Sequence, residues 1–110
     1  MLYCISANYT PKAMEAMGKK PNANRKEAVE KLVKAAGAKL IAMYGTIHDG
    51  PGAMVIVDVD RIVAPAIAAV IASSDSVCNV KAHRIYTMEE VTAIRKKRVE
   101  LSGSYRPPGK

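Results

Sequence analysis

Two segments of this chain are apolar at every position rather than at alternate ones. In Leu40-Ile41-Ala42-Met43-Tyr44 and Ala53-Met54-Val55-Ile56-Val57 both strand parities are hydrophobic, the pattern of a sheet buried on its front and its back. Around them, strand and helix patterns alternate. Leu2–Tyr9 reads as a first strand, and Thr10-Pro11 supplies an N-cap followed by proline at the first helical position. The short helix it opens is expected to end at Gly18. Asn24-Arg25-Lys26-Glu27 is a capping box with Asn in the Ser/Thr place, and behind it Ala28, Val29, Leu32, Val33, Ala35 and Ala36 recur at helical spacing. Gly37 is placed for a left-handed cap, and a second strand follows over residues 39–47.

His48-Asp49-Gly50-Pro51-Gly52 concentrates turn formers between the two apolar strands, so strands two and three form a hairpin. Strand three ends at Asp58. The next helix is expected over residues 61–72, capped by Asp60, with Ile62, Val63, Ala66, Ile67, Val70 and Ile71 facing inward. Pro65 lies close enough to its start for the missing N–H to cost little. Beyond the polar loop Ser73-Ser74-Asp75-Ser76, strand four covers residues 77–86. Thr87-Met88-Glu89-Glu90 is a second capping box and opens a terminal helix to about Val99. Residues 102–110 have no apolar pattern and form a tail, either loose or docked on a partner.

The element order gives an α+β fold of ferredoxin-like βαββαβ type: a four-stranded antiparallel sheet with helices on one face, plus a C-terminal helix. A chain of 110 residues is one domain, here residues 1–99 with a tail over 100–110. These helices cover one face of the sheet only. The doubly apolar strands require cover for the other, and a second copy of the chain is the expected cover, as a homodimer or higher assembly. Met43, Met54, Ile56 or their alternates would then meet across a dimeric α/β barrel.

Composition narrows the classes. A chain that is 49% hydrophobic and 25% charged is globular rather than disordered. Cys4 and Cys78 have no CxxC spacing and no nearby His, and read as reduced core thiols. No run approaches the roughly 18 apolar residues of a membrane span, and the N-terminus enters a strand without a secretory pattern, which points to the cytoplasm. The net charge of +7 raises the question of nucleic acid. The basic groups fall in separate clusters, Lys19-Lys20 with Arg25-Lys26 and then Arg95-Lys96-Lys97-Arg98, without interleaved aromatic residues to stack on bases. The second cluster sits where a helix dipole favours cations. Neither nucleic acid nor a membrane is an expected partner.

The candidate chemistry lies on strand four. Its parity places Cys78, Val80 and Ala82 toward the helices and Asn79, Lys81, His83 and Ile85 toward the partner. A Lys and a His on that face need a partner or water. With Ser6 and Asn8 on strand one they suggest polar groups around a ligand cavity between sheet faces. The candidate ligand-binding residues are Asn8, Tyr44, Lys81 and His83, although Tyr9 and Tyr44 read more readily as core aromatics. His48 and Asp49 form an acid/base or weak metal pair only if both turn the same way, and metal sites normally need three or four ligands; a solvated loop is the expectation. Cys78 and His83 are expected on opposite faces. No metal, cofactor or catalytic residue is assigned. Three functions remain: a small-molecule-binding or regulatory module, a cofactor-free enzyme of isomerase or small monooxygenase type with His83 as base, and an assembly or nucleic-acid protein using its basic surface.

Several short motifs in order also resemble the GYD-domain family. They are Tyr3, Tyr9-Thr10, Arg25 with Glu27-Ala28, Gly37-Ala38-Lys39-Leu40, Tyr44-x-Thr46, Asn79-Val80-Lys81, Tyr86-Thr87 and Glu90, spread over residues 2–92. The Gly-Tyr-Asp triplet of the family's name is absent, and His48-Asp49-Gly50-Pro51-Gly52 stands before strand three instead. The resemblance implies a small ferredoxin-like protein that associates through its sheet, and it implies no particular chemistry.

Overall fold

The computed structural model describes residues 1–109. The elements run β1 (Leu2–Tyr9), α1 (Pro11–Lys19), α2 (Arg25–Ala35), β2 (Lys39–Thr46), β3 (Gly52–Asp58), α3 (Val63–Ala72), β4 (Val77–Ile85) and α4 (Met88–Leu101). The strands form one sheet in the order β2-β3-β1-β4, antiparallel at every pairing. This is the expected α+β, ferredoxin-like order.

Local chemistry sets most of the boundaries. The Thr10 hydroxyl accepts the Ala13 amide and the Asn24 side chain accepts the Glu27 amide, each satisfying a free donor at a helix start. At α4 both arms of the capping box form between Thr87 and Glu90. Gly37 takes φ +72° and turns the chain out of α2. Two expectations shift. Gly18 does not stop α1, which ends one residue later at Lys19. Asp60 caps a turn instead of the α3 terminus: its carboxylate accepts the Ile62 amide at 3.1 Å, and the helix begins at Val63.

The core lies between the sheet and the pair α2 and α3. Val57 and Val33 are 0% and 1% exposed, and Ile5, Val55, Val59, Ala64 and Ile67 complete the buried cluster. Odd-numbered residues of β1 and β3 supply the sheet side. On α3 the inward residues are Ala64 and Ile67, with Val63, Ala68 and Ile71 beside them, whereas Ile62, Ala66 and Val70 are exposed. This corrects the expected face. The helix is apolar on almost every side, so its periodicity alone does not select the side that docks.

Two edge-strand irregularities also correct the expected parity. The β2 register slips between Leu40 and Ala42, leaving Ile41 49% exposed and turning both Leu40 and Met43 toward the helices. Met43 therefore cannot meet a partner across the open face. On β4 the register slips opposite Ser6 and Asn8, where Asn79 takes φ +53°. Such a bulge resets side-chain alternation. Val80 still packs against the core, but Cys78 emerges exposed beside Asn8 on the open face. Of the two free thiols, only Cys4 is buried.

The helix α4 carries no buried residue, and residues 102–109 are exposed. A cluster at its first turn fastens it to the sheet. Arg84 lies 4.5 Å from the Tyr86 ring centre and 5.9 Å from that of Tyr3, donates to the Ile85 carbonyl, and pairs with Glu90 at 2.9 Å. The Arg84 guanidinium, with the Thr87 amide, holds the Glu90 carboxyl below its ordinary value. A carboxylate with a lowered folded pKa contributes stability above its unfolded value, about pH 4.3, and loses it as pH falls through the folded one. Helical content measured between pH 7 and 2 should therefore fall in the acid limb, and Glu90→Gln should lower it at pH 7 while flattening that limb. An unchanged acid limb in Glu90→Gln would assign the loss to other carboxylates.

Candidate functional site

Residues that pair across neighbouring strands share a face, so the open face can be read in rows from β2 to β4. These are Lys39–Asp58–Leu2–Ile85, Ala42–Ile56–Cys4–His83, Tyr44–Met54–Ser6–Lys81 and Thr46–Gly52–Asn8–Cys78. Asn8, Tyr44, Lys81 and His83 all lie on this face, away from the buried core. They do not form one cluster. Tyr44, 57% exposed, and Lys81 stand on opposite edge strands, three strand spacings or about 14 Å apart. A hollow of about 180 Å³ brings Asn8 and Lys81 together with Ser6, Thr46, Met54 and Asn79, and neither Tyr44 nor His83 lines it.

The Asn8 amide is already engaged. Its nitrogen donates to the His48 and Gly50 carbonyls at 2.8 and 3.0 Å, and its oxygen accepts from Asn79 at 3.3 Å. Asn8 thus fastens the hairpin loop and the β4 bulge to β1. His48 and Asp49 approach within 3.3 Å of each other, both largely exposed. Among the described residues no group of three His, Cys, Asp or Glu is placed to hold a metal ion. The bulge also puts Cys78 and His83 on the same face, not on opposite ones, but two rows apart, about 13 Å. The thiol directly across from His83 is Cys4. Burial pushes its pKa up, away from the thiolate that a nucleophile requires.

A larger space, unforeseen in the sequence, lies on the helix side of the sheet. It measures about 280 Å³ and is walled by Val29 and Leu32 of α2, Val70 and Ile71 of α3, and Ile5, Met43 and Val55 of the sheet. Its origin is steric. On the row beneath it, Gly45 pairs with Ala53 and Ala53 with Ala7, so three adjacent strands present at most a methyl group where the next row presents Met43, Val55 and Ile5. Ala28 on α2 is equally small. Ser6, Tyr9, Arg25, Ser74, Ser76 and Val77 complete the lining. Tyr9 is therefore a pocket wall. Among the described residues, Arg25 and Tyr9 are the ionisable ones that line it, with neither a carboxylate nor an imidazole beside them. A run of small residues at same-face positions of three strands is the sequence feature that marks this space.

Among the described residues no helix is long and apolar enough to cross a membrane. A comparison with curated proteins found no match. The family model of the GYD domain matches residues 3–94, the span from the first strand into the first half of α4 and nearly all of the folded unit. The βαββαβ order, the small size and that match agree, and the chain belongs to the GYD domain family.

Proposed function

We propose that the protein is a homodimeric small-molecule-binding module, in which the ligand occupies the helix-side cavity and a second copy covers the open sheet face. The observation that carries the reading is the preformed apolar space of about 280 Å³ above the Gly45–Ala53–Ala7 row. Preformed, mostly apolar concavities with a few polar groups are the usual form of ligand sites. With no carboxylate or imidazole lining it, the cavity supplies no ordinary general base, which favours binding over turnover and weighs against the enzyme alternative.

The reading of the open face as a dimer surface rests on its shape and charge. Four strands of seven to nine residues span a projected area of roughly 500 Å² before side-chain relief, the order of the ~800 Å² per partner of a stable interface. Its centre, Ala42, Ile56, Cys4, Met54 and Ser6, is uncharged. Apart from Lys81, its charged residues are Lys39 and Asp58, adjacent at one end. Such a surface suits a second copy better than a polyanion.

A second reading places the ligand between the two sheets, around Asn8, Tyr44, Lys81 and His83, and draws on the hollow beside Lys81. One experiment separates them. Small acids and aromatic compounds are screened for thermal stabilisation, which binding to the folded state produces by mass action. Ala53→Leu, which fills the floor of the helix-side cavity, should remove the stabilisation, while Lys81→Ala and His83→Ala should leave it. The reverse result places the ligand between the sheets. The absence of any stabilising compound would count against the binding role.

A further inference from the structure

The lining of the helix-side cavity is divided. Its depth is hydrocarbon, from Ile5, Val29, Leu32, Val55 and Ile71. Its polar lining residues are Ser6, Tyr9, Arg25, Ser74 and Ser76. Ser6 stands in the open-face row and Ser74 donates to the Ile71 carbonyl, which leaves three groups without a hydrogen-bond partner among the described residues. The Arg25 guanidinium makes no ion pair or hydrogen bond there, and neither the Tyr9 nor the Ser76 hydroxyl is engaged. Arg84, by contrast, stacked on Tyr3 and Tyr86, is paired with Glu90.

Those three groups offer five guanidinium N–H donors and two hydroxyls, and the lining contains no acidic residue. Such a site is short of acceptors and carries one net positive charge. It complements a ligand with one negative charge spread over two acceptor oxygens, the geometry that a guanidinium binds in bidentate fashion. A single cation matches a carboxylate better than the dianion of a phosphate monoester. The volume sets the size of the ligand as a whole: at the ~30 Å³ that each heavy atom takes at liquid density, 280 Å³ holds about nine of them.

We propose that the cavity binds an amphipathic monocarboxylate of about ten heavy atoms, such as a medium-chain fatty acid or an arylacetic acid, with its tail between α2, α3 and the sheet and its carboxylate on Arg25. This rests on the small-molecule reading above and adds the class of ligand. The general basic charge of the chain, +7, assists the approach of an anion, and Arg25 fixes where the anion stops.

The test compares octanoate with octan-1-ol by titration calorimetry on the full chain, with thermal melting to verify that each variant is folded. The two ligands share a tail and differ in the carboxylate. Octanoate should bind the unaltered protein at least about 10-fold more tightly than the alcohol, the size of effect that a charged hydrogen-bonded partner supplies. Arg25→Gln should remove that preference and leave octan-1-ol binding unchanged, whereas Ala28→Leu, which narrows the cavity from the α2 side, should weaken both ligands. Equal affinity for the two in the unaltered protein, or octanoate binding unchanged in Arg25→Gln, overturns the carboxylate assignment and leaves the small-molecule reading standing. Octanoate binding that survives Ala28→Leu in full places the ligand on the surface and also overturns it. No heat from either ligand at millimolar concentration overturns the assignment and the reading together.

Discussion

Gly52→Ala should lower the melting temperature of this protein by roughly 10–20 °C, the consequence of about 2–4 kcal/mol lost in a domain of this size. Gly52 opens β3 directly against β1, where it pairs with Asn8. A Cβ at this position would collide with the Ala7 carbonyl oxygen and stand 3.1 Å from its carbonyl carbon. Both are backbone atoms of the paired strand β1, near the end of a hydrogen-bonded ladder, so no side chain can swing away to relieve the contact. The strands must separate by more than an ångström, which breaks ladder hydrogen bonds worth about 1 kcal/mol each and disturbs the Asn8 contacts to the hairpin loop. Gly18→Ala is the control. Nothing lies within 4 Å of a Cβ there, the residue is inside α1, and the substitution should stabilise by about 0.5–1 kcal/mol through the unfolded chain. Melts followed by circular dichroism decide the matter; a Gly52→Ala protein as stable as its parent would show that the β1–β3 register is not the one described.

The sequence is most legible where structure is decided locally. Thr10, Asn24 and Thr87 are side-chain caps whose effect is complete within three residues, and Gly37 is a turn that only its own backbone has to accommodate. These local features placed the element boundaries to within a residue or two and, with the connection rules, the sheet order. Legibility fails where alternation is interrupted without a compositional mark. Neither Ile41 nor Asn79 announces a bulge, yet each inverts the facing of its neighbours, moving Met43 inward and Cys78 outward. The docked side of α3 was equally hidden, since Val-Ala-Pro-Ala-Ile-Ala-Ala-Val-Ile-Ala offers an apolar surface on most sides.

The face of the candidate residues was legible, and their grouping was not. Lys81 and His83 are on the open face as their parity required, because the bulge lies N-terminal to them. Asn8 is there too, but its amide proves to be a structural fastening. The helix-side cavity follows from Gly45, Ala53 and Ala7 standing in one row, which becomes visible only when the registers of two strand pairs are known together. A cavity is a tertiary coincidence of small residues. A cap is contained in four consecutive ones.

Ile56→Glu should convert the proposed dimer to monomers while leaving the protomer folded. Ile56 stands on the central strand β3, flanked across the sheet by Ala42 and Cys4, and is only partly buried. In a lone protomer a glutamate there reaches water, so the cost to folding is small. In a face-to-face dimer the twofold axis brings both copies of the substitution into the same dry layer, and a buried carboxylate without a partner costs about 3–5 kcal/mol, enough to raise the dissociation constant by at least ~100-fold. Sedimentation velocity at micromolar concentration should show a dimer for the unaltered chain and a monomer for the variant. Two comparisons localise the effect. Ile62→Glu, at a site 70% exposed just before α3, should remain dimeric, and so should Leu101→Glu at the far end of α4, where the side chain is 57% exposed. Should Leu101→Glu dissociate the protein and Ile56→Glu not, association would run through the apolar side chains of α4, and the open sheet face would need another occupant.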